Sequence, residues 1–166
     1  MQIALGDRTA ETAVMYFEKT RDPEIRRFLP QKARTAEEAL EDFRETQAPG
    51  ARSFGRTILV DGTYVGDVWC YCMDPEGEPQ AMVSYCVFEK TLWGRGISAQ
   101  ALGLFLNEVR ERFGFVRFGA FTFSRNTASI RVLEKNGFHL AETFTEDGVE
   151  SGYYERLEKL DSYYTV

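Results

Sequence analysis

The sequence predicts one α/β domain with a mostly antiparallel sheet and a single strand-helix-strand crossover. Three observations point there. Two β-rich runs flank Asp61-Gly62, a dipeptide that favours tight hairpins. Ala101, Leu102, Phe105, Leu106, Val109 and Phe113 recur at helical spacing between two strand-like runs. The chain has 166 residues, of which 43% are hydrophobic and 14% aromatic, including thirteen Phe and eight Tyr. A chain of that size buries roughly 70% of the surface its unfolded form exposes, so it needs no disulfide or metal for stability.

The N-terminal third reads as helices. Thr9 caps a segment whose apolar positions are Ala13, Val14 and Phe17. Asp22-Pro23 starts a short helix, because proline suits the first helical position, and Phe28-Leu29-Pro30 ends it. Thr35-Ala36-Glu37-Glu38 has the form of a capping box and opens a helix to about Glu45. Its apolar face is Ala39, Leu40 and Phe43. Glu37, Glu38, Glu41, Asp42 and Glu45 form a solvated acidic face or an acidic rim for an amine.

The middle reads as strands: 57–60 and 63–69 around Asp61-Gly62, then a turn at Asp74-Pro75-Glu76-Gly77, then 81–88. After the long helix, Gly114 suits a helix end, and 116–123 is another strand. A short helix over 128–136 stops at Gly137, and the runs 140–145 and 152–157 pair around Asp147-Gly148. No repeat, low-complexity tract or linker divides the chain, so residues 1–166 are expected to form a single domain.

Composition narrows the function. A net charge of −6 disfavours sequence-independent binding to nucleic acid, which depends on basic residues at phosphates. No stretch of eighteen apolar residues and no signal peptide is evident, so no membrane partner and a cytoplasmic location are expected. Cys70, Cys72 and Cys86 are odd in number and read as reduced core thiols, Cys70 and Cys72 sharing one strand face. His139 is the only histidine, and no metal site is expected.

The chemical signal is the turn Trp93-Gly94-Arg95-Gly96-Ile97-Ser98. Two glycines free the backbone to aim several N–H groups at one point, and the helix that follows presents unpaired N–H groups at its start. That combination makes a seat for phosphate, with Lys90 and Arg95 adding positive charge. The spacing is not that of a P-loop. Gly94-x-Gly96-x-x-Ala99 does match a dinucleotide-binding fingerprint. Against it, Glu89 to Trp93 separate the glycines from the strand, and no acidic residue follows on the next strand, Arg117-Phe118-Gly119-Ala120-Phe121.

Tyr85-Cys86-Val87-Phe88, followed by Trp93 through Leu102, resembles the acetyl-CoA motif of the GNAT superfamily of N-acetyltransferases. The likeness is strongest to the branch of ribosomal-protein N-terminal acetyltransferases. The block from Asn126 to Phe138 is similar to a second motif of that branch, and the likeness covers nearly the whole chain. The resemblance implies a mixed, mostly antiparallel central sheet with helices on both faces and a splayed strand pair.

It also implies roles. Backbone N–H groups of Trp93, Gly94, Arg95, Gly96, Ile97 and Ser98 hold the pyrophosphate of acetyl-CoA, the co-substrate. A backbone N–H at Val87 or Phe88 polarises the thioester, and Asn126 bonds the pantetheine side. Arg131 and Lys135 meet the 3′-phosphate end or are plain surface charges. Where many members carry a tyrosine acid, this chain has Leu133, and Ser129 becomes the acid or bonds a nearby carbonyl. Glu150 ranks first as the base that frees the amine, with Asp67 second. The expected partner is an amine acceptor, and the expected assembly is a monomer or homodimer. A non-catalytic acyl-CoA-binding domain is the alternative.

Overall fold

A computed structural model describes residues 1–29 and 32–158. The elements run β1 (Ile3–Gly6), α1 (Ala10–Lys19), α2 (Pro23–Arg26), α3 (Ala36–Gln47), β2 (Phe54–Val60), β3 (Thr63–Asp74) and β4 (Gln80–Val87). A 3-10 turn at Lys90–Leu92 leads to α4 (Ile97–Phe113), β5 (Arg117–Phe123), α5 (Thr127–Lys135), β6 (His139–Glu146) and β7 (Val149–Leu157). The sheet order is β1-β2-β3-β4-β5-β7-β6, and only β4 and β5 run parallel.

Local chemistry explains most boundaries. The Thr9 hydroxyl accepts the Thr12 N–H at 3.1 Å and caps α1. Thr35 caps α3 through the Glu38 N–H, while the Glu38 carboxylate reaches one residue further back, to the Arg34 N–H. Asp61 and Gly62 have φ of 49° and 81°, and Asp147 and Gly148 have 50° and 77°. Positive φ at both central residues gives a turn whose twist matches that of the paired strands.

The N-terminal segment departs from the all-helical expectation. Ile3–Gly6 is an edge strand paired antiparallel with β2, too short for its alternation to stand out in the sequence. The thiols depart as well. Cys70 is fully buried, but Cys72 has φ 49° and is exposed, because β3 loses register with β4 between Tyr71 and Asp74. The end of the second helix was expected at Phe28-Leu29-Pro30, and Pro30 lies outside the described residues.

Helix α4 packs its apolar stripe on one face of the sheet. Leu102, Phe105, Leu106 and Val109 are buried there with Val68, Val83 and Phe118. Each such side chain contributes about 1.5–3 kcal/mol on burial. Helices α1 to α3 serve the other face, where Tyr16 of α1 meets the edge of Trp69 on β3 at 6.0 Å. No helix of the described residues is long and apolar enough to cross a membrane. Among the described residues, no group of three or more His, Cys, Asp or Glu could hold a metal ion.

Candidate active site

The parallel pair β4–β5 holds only at Gln80↔Arg117, Ala81↔Phe118 and Met82↔Gly119. Beyond Met82 the two strands part, although β4 continues to Val87 and β5 to Phe123. The gap opens into a cavity of about 1460 Å³ that reaches both faces of the sheet. Gly66 pairs with Val87, at the end of β4 far from the segment paired with β5. A Cβ at Gly66 would lie 2.2 Å from the Cys86 carbonyl oxygen, so only glycine lets β3 and β4 approach so closely there.

At the end of β4 the backbone is sorted by strand alternation. The Phe88 N–H donates to the Val65 carbonyl at 2.9 Å. Successive residues in a strand turn their N–H groups to opposite sides, so the Val87 N–H faces the gap. Of the two donors expected for the thioester carbonyl, Phe88 is therefore already engaged, and it does not line the cavity. Val87 does. Its carbonyl accepts the Trp93 indole N–H at 2.8 Å, which ties the turn to the strand.

The turn has the geometry that its glycines suggested. Gly94 and Gly96 have φ of 79° and 77°, and Gly96 caps α4 with no side-chain hydrogen bond. The first N–H groups of α4 thus point toward the cavity without an intrahelical partner. Trp93, Gly94, Gly96, Ile97 and Ser98 line the cavity, whereas Arg95 is exposed outside it. Lys90 adds no free charge. Its ammonium pairs with Asp22 at 2.5 Å and Glu24 at 3.0 Å.

On the far wall, α5 supplies Asn126, Ser129, Arg131 and Lys135, all lining the cavity. Asn126 is the helix cap, its side-chain oxygen accepting the Ser129 N–H at 3.2 Å, which leaves its amide NH₂ for a ligand. Arg131, Lys135 and Arg95 have no carboxylate partner among the described residues. Leu133 is buried, as its apolar character requires.

Ser129 has a partner that sequence reasoning missed. Its hydroxyl lies 2.8 Å from the Tyr85 hydroxyl, and Tyr85 also reaches the Ser129 carbonyl at 3.1 Å. Burial raises the Tyr85 pKa above that of an ordinary phenol. Nothing local marks this pair, because it joins residues 44 positions apart.

Glu150 is not brought to the site. Its side chain is exposed, on the strand face shared by Gly152 and Tyr154, and it does not line the cavity. Glu146, across the hairpin, does. Asp67 lines the cavity but is held on both sides, by Arg8 at 3.1 Å and the Tyr64 hydroxyl at 2.8 Å. Burial raises its pKa, with Arg8 and Tyr64 pulling the other way. Among the aromatic side chains of β3, Trp69 and Tyr71 line the cavity. Tyr154 joins the core, and Tyr153 backs Phe121 at 5.3 Å. From the acidic face of α3, only Asp42 lines the cavity.

Residues 7–139 match the acetyltransferase (GNAT) domain family. No curated protein matches the sequence. Among solved structures, the aminoglycoside acetyltransferase AAC(6′)-Ib in complex with paromomycin and acetyl-CoA superposes with a TM-score of 0.80 at 14% identity, covering 95% of this chain and 94% of that one. The RimL ribosomal L7/L12 α-N-protein acetyltransferase in complex with coenzyme A gives 0.79 at 18% identity, covering 95% of both chains. The ribosomal-protein-S5-alanine acetyltransferase of Vibrio fischeri gives 0.78 at 17%, covering 95% and 92%.

Proposed function

Because the chain belongs to the acetyltransferase (GNAT) family, we propose that it moves an acetyl group from acetyl-CoA to a primary amine, of a small molecule or a protein N-terminus, by direct attack in a ternary complex. The observation that carries this reading is the parting of β4 from β5 directly beside the uncapped start of α4. The parted strands leave backbone groups for an extended pantetheine arm. The helix start and the left-handed glycines take the pyrophosphate. Arg131 and Lys135 face the more distant phosphate, with Arg95 adding charge from outside the wall.

In this reading the Val87 N–H donates to the thioester oxygen as negative charge develops there. The attacking nitrogen must be neutral, and Glu146, one of the carboxylates at the wall, takes its proton through water. Ser129 donates a hydrogen bond to the departing sulfur, with Tyr85 behind it. A thiolate, whose thiol has a pKa of about 8.5, is a weaker base than the phenolate of a buried tyrosine. Tyr85 therefore stays protonated and acts through Ser129 as a donor, so CoA departs as the thiolate. Carboxylates at Asp42 and Glu146 in the cavity wall favour a cationic amine.

The test is acetyl-CoA binding measured by calorimetry, alongside CoA release over a panel of amines: a peptide N-terminus, a polyamine, an aminoglycoside and free amino acids. Amine-dependent release supports the proposal. Binding without release on any amine supports the non-catalytic alternative. Glu146→Gln is expected to lower release at least tenfold, and Glu150→Gln to leave it within about twofold.

A further inference from the structure

One group in the cavity wall is not used by the reaction just described. The Tyr16 hydroxyl is fully buried and, apart from the Cys86 thiol beside it, has no hydrogen-bond partner. Such groups are rare in folded proteins, because a buried hydroxyl without a partner costs about 1–3 kcal/mol. The ring is held from two sides, edge-on to Trp69 at 6.0 Å and to Phe88 at 6.4 Å. Its position is thus fixed by packing, with no help from the hydroxyl.

The setting shows what the hydroxyl faces. Tyr16 lines the cavity together with Cys86, whose thiol lies beside the phenol. A thiol is a weak hydrogen-bond acceptor, so it draws the phenolic proton without satisfying the group. The oxygen lone pairs are left without a donor. Cys86 is the residue before Val87, and its side chain lies on the sheet face covered by α1, since it is paired in register with Asp67. The unpartnered oxygen therefore stands on the acceptor side, one residue from the N–H that faces the thioester.

We propose that Tyr16 holds the nucleophile: its hydroxyl oxygen accepts an N–H hydrogen bond from the acceptor amine and aims the nitrogen lone pair at the acetyl carbonyl. The inference rests on the acetyltransferase reading. No proton leaves Tyr16. Burial raises its pKa, so it remains a neutral phenol throughout. The ligand it selects is an amine that keeps an N–H after presenting its lone pair, a primary or secondary amine. An alcohol fits less well, because its one hydrogen must be removed as it attacks.

Tyr16→Phe tests this, because it retains both ring contacts and removes only the oxygen. Turnover by the full chain is measured against acetyl-CoA and against the best amine of the panel, and melting temperature is measured without ligand. The expected result is a ten- to hundredfold loss in kcat/KM for the amine, an acetyl-CoA KM within twofold of wild type, and a melting temperature no lower than wild type. Unchanged amine kinetics would overturn the proposal. So would a lowered melting temperature, which would show that the hydroxyl serves the fold, and this readout needs no substrate. A wild type inert toward every amine would sink the acetyltransferase reading itself, and the role of Tyr16 with it.

Discussion

The Trp93 indole N–H donates to the Val87 carbonyl at 2.8 Å, joining the turn at the head of α4 to the strand whose next-door N–H faces the gap. In the proposed reading, this hydrogen bond fixes the distance between the turn that takes the pyrophosphate and the N–H that meets the thioester. Trp93 is otherwise poorly buried, with 42% of its surface exposed. Its conspicuous size is explained by this bond and not by core packing. Trp93→Phe keeps a ring but removes the donor. The expected outcome is about a tenfold weaker affinity for acetyl-CoA, the equivalent of one lost hydrogen bond at about 1.4 kcal/mol, with the fold retained by circular dichroism.

Gly66 gives the second prediction. Its absent side chain is what lets β3 meet β4 at Cys86 and Val87. Gly66→Ala would place a methyl group against a backbone oxygen, which cannot move aside as a flexible side chain could. We expect a loss of about 1–3 kcal/mol in unfolding free energy. Acetyl-CoA affinity should also fall, because β4 must shift at Cys86 and Val87. Gly62→Ala, in the exposed hairpin, relieves no such contact and should leave acetyl-CoA affinity unchanged.

The Arg8–Asp67–Tyr64 group supports the same wall. Arg8 and Asp67 have side-chain exposures of 17% and 5%, so the pair is shielded from solvent screening. Asp67→Ala strands a buried guanidinium and a buried phenol, and is expected to cost about 3–5 kcal/mol. Chemical denaturation checks this. Asp67→Asn, which keeps a partner for Tyr64, should lose less.

The thiols predict a pH dependence. Burial pushes Cys70 and Cys86 from an ordinary value near 9 up to about 12. A pKa raised on folding means that the native state holds its proton more tightly than the unfolded state. The contribution to stability is then complete below pH 9 and is lost as the pH climbs toward 12. Melting temperature should fall across that window, and less steeply in Cys70→Ala after allowance for the methyl-sized void. At pH 8, iodoacetamide should label Cys72, which is exposed, well before the other two. Mass spectrometry of the labelled peptides reads the order.

What the sequence disclosed, and what it withheld, divides by range. The glycines at 94 and 96, the caps at Thr9 and Thr35 and the two Asp-Gly hairpins are local devices, and each sits where its chemistry predicted. The choice between Val87 and Phe88 depended on the pairing phase of β3 against β4, which a single strand does not carry. The sheet face that Glu150 takes was hidden for a related reason: one residue along a strand exchanges the two faces of the sheet. Lys90 looked free until α2 brought Asp22 and Glu24 to it. Tyr85 beside Ser129 and Tyr16 beside Cys86 join elements far apart in the chain, and neither residue had a local signal to mark it.

Acetyl transfer through the gap between β4 and β5 is tested by one assay: wild-type protein with acetyl-CoA and the amine panel, with free CoA and acetylated amine quantified together by mass spectrometry. The account predicts that the two products appear in equal amounts, that both require an amine, and that both decline in Trp93→Phe as acetyl-CoA affinity falls. Tight binding of acetyl-CoA with no acetylated product from any amine, or release of CoA in the absence of an amine at the same rate, would contradict it.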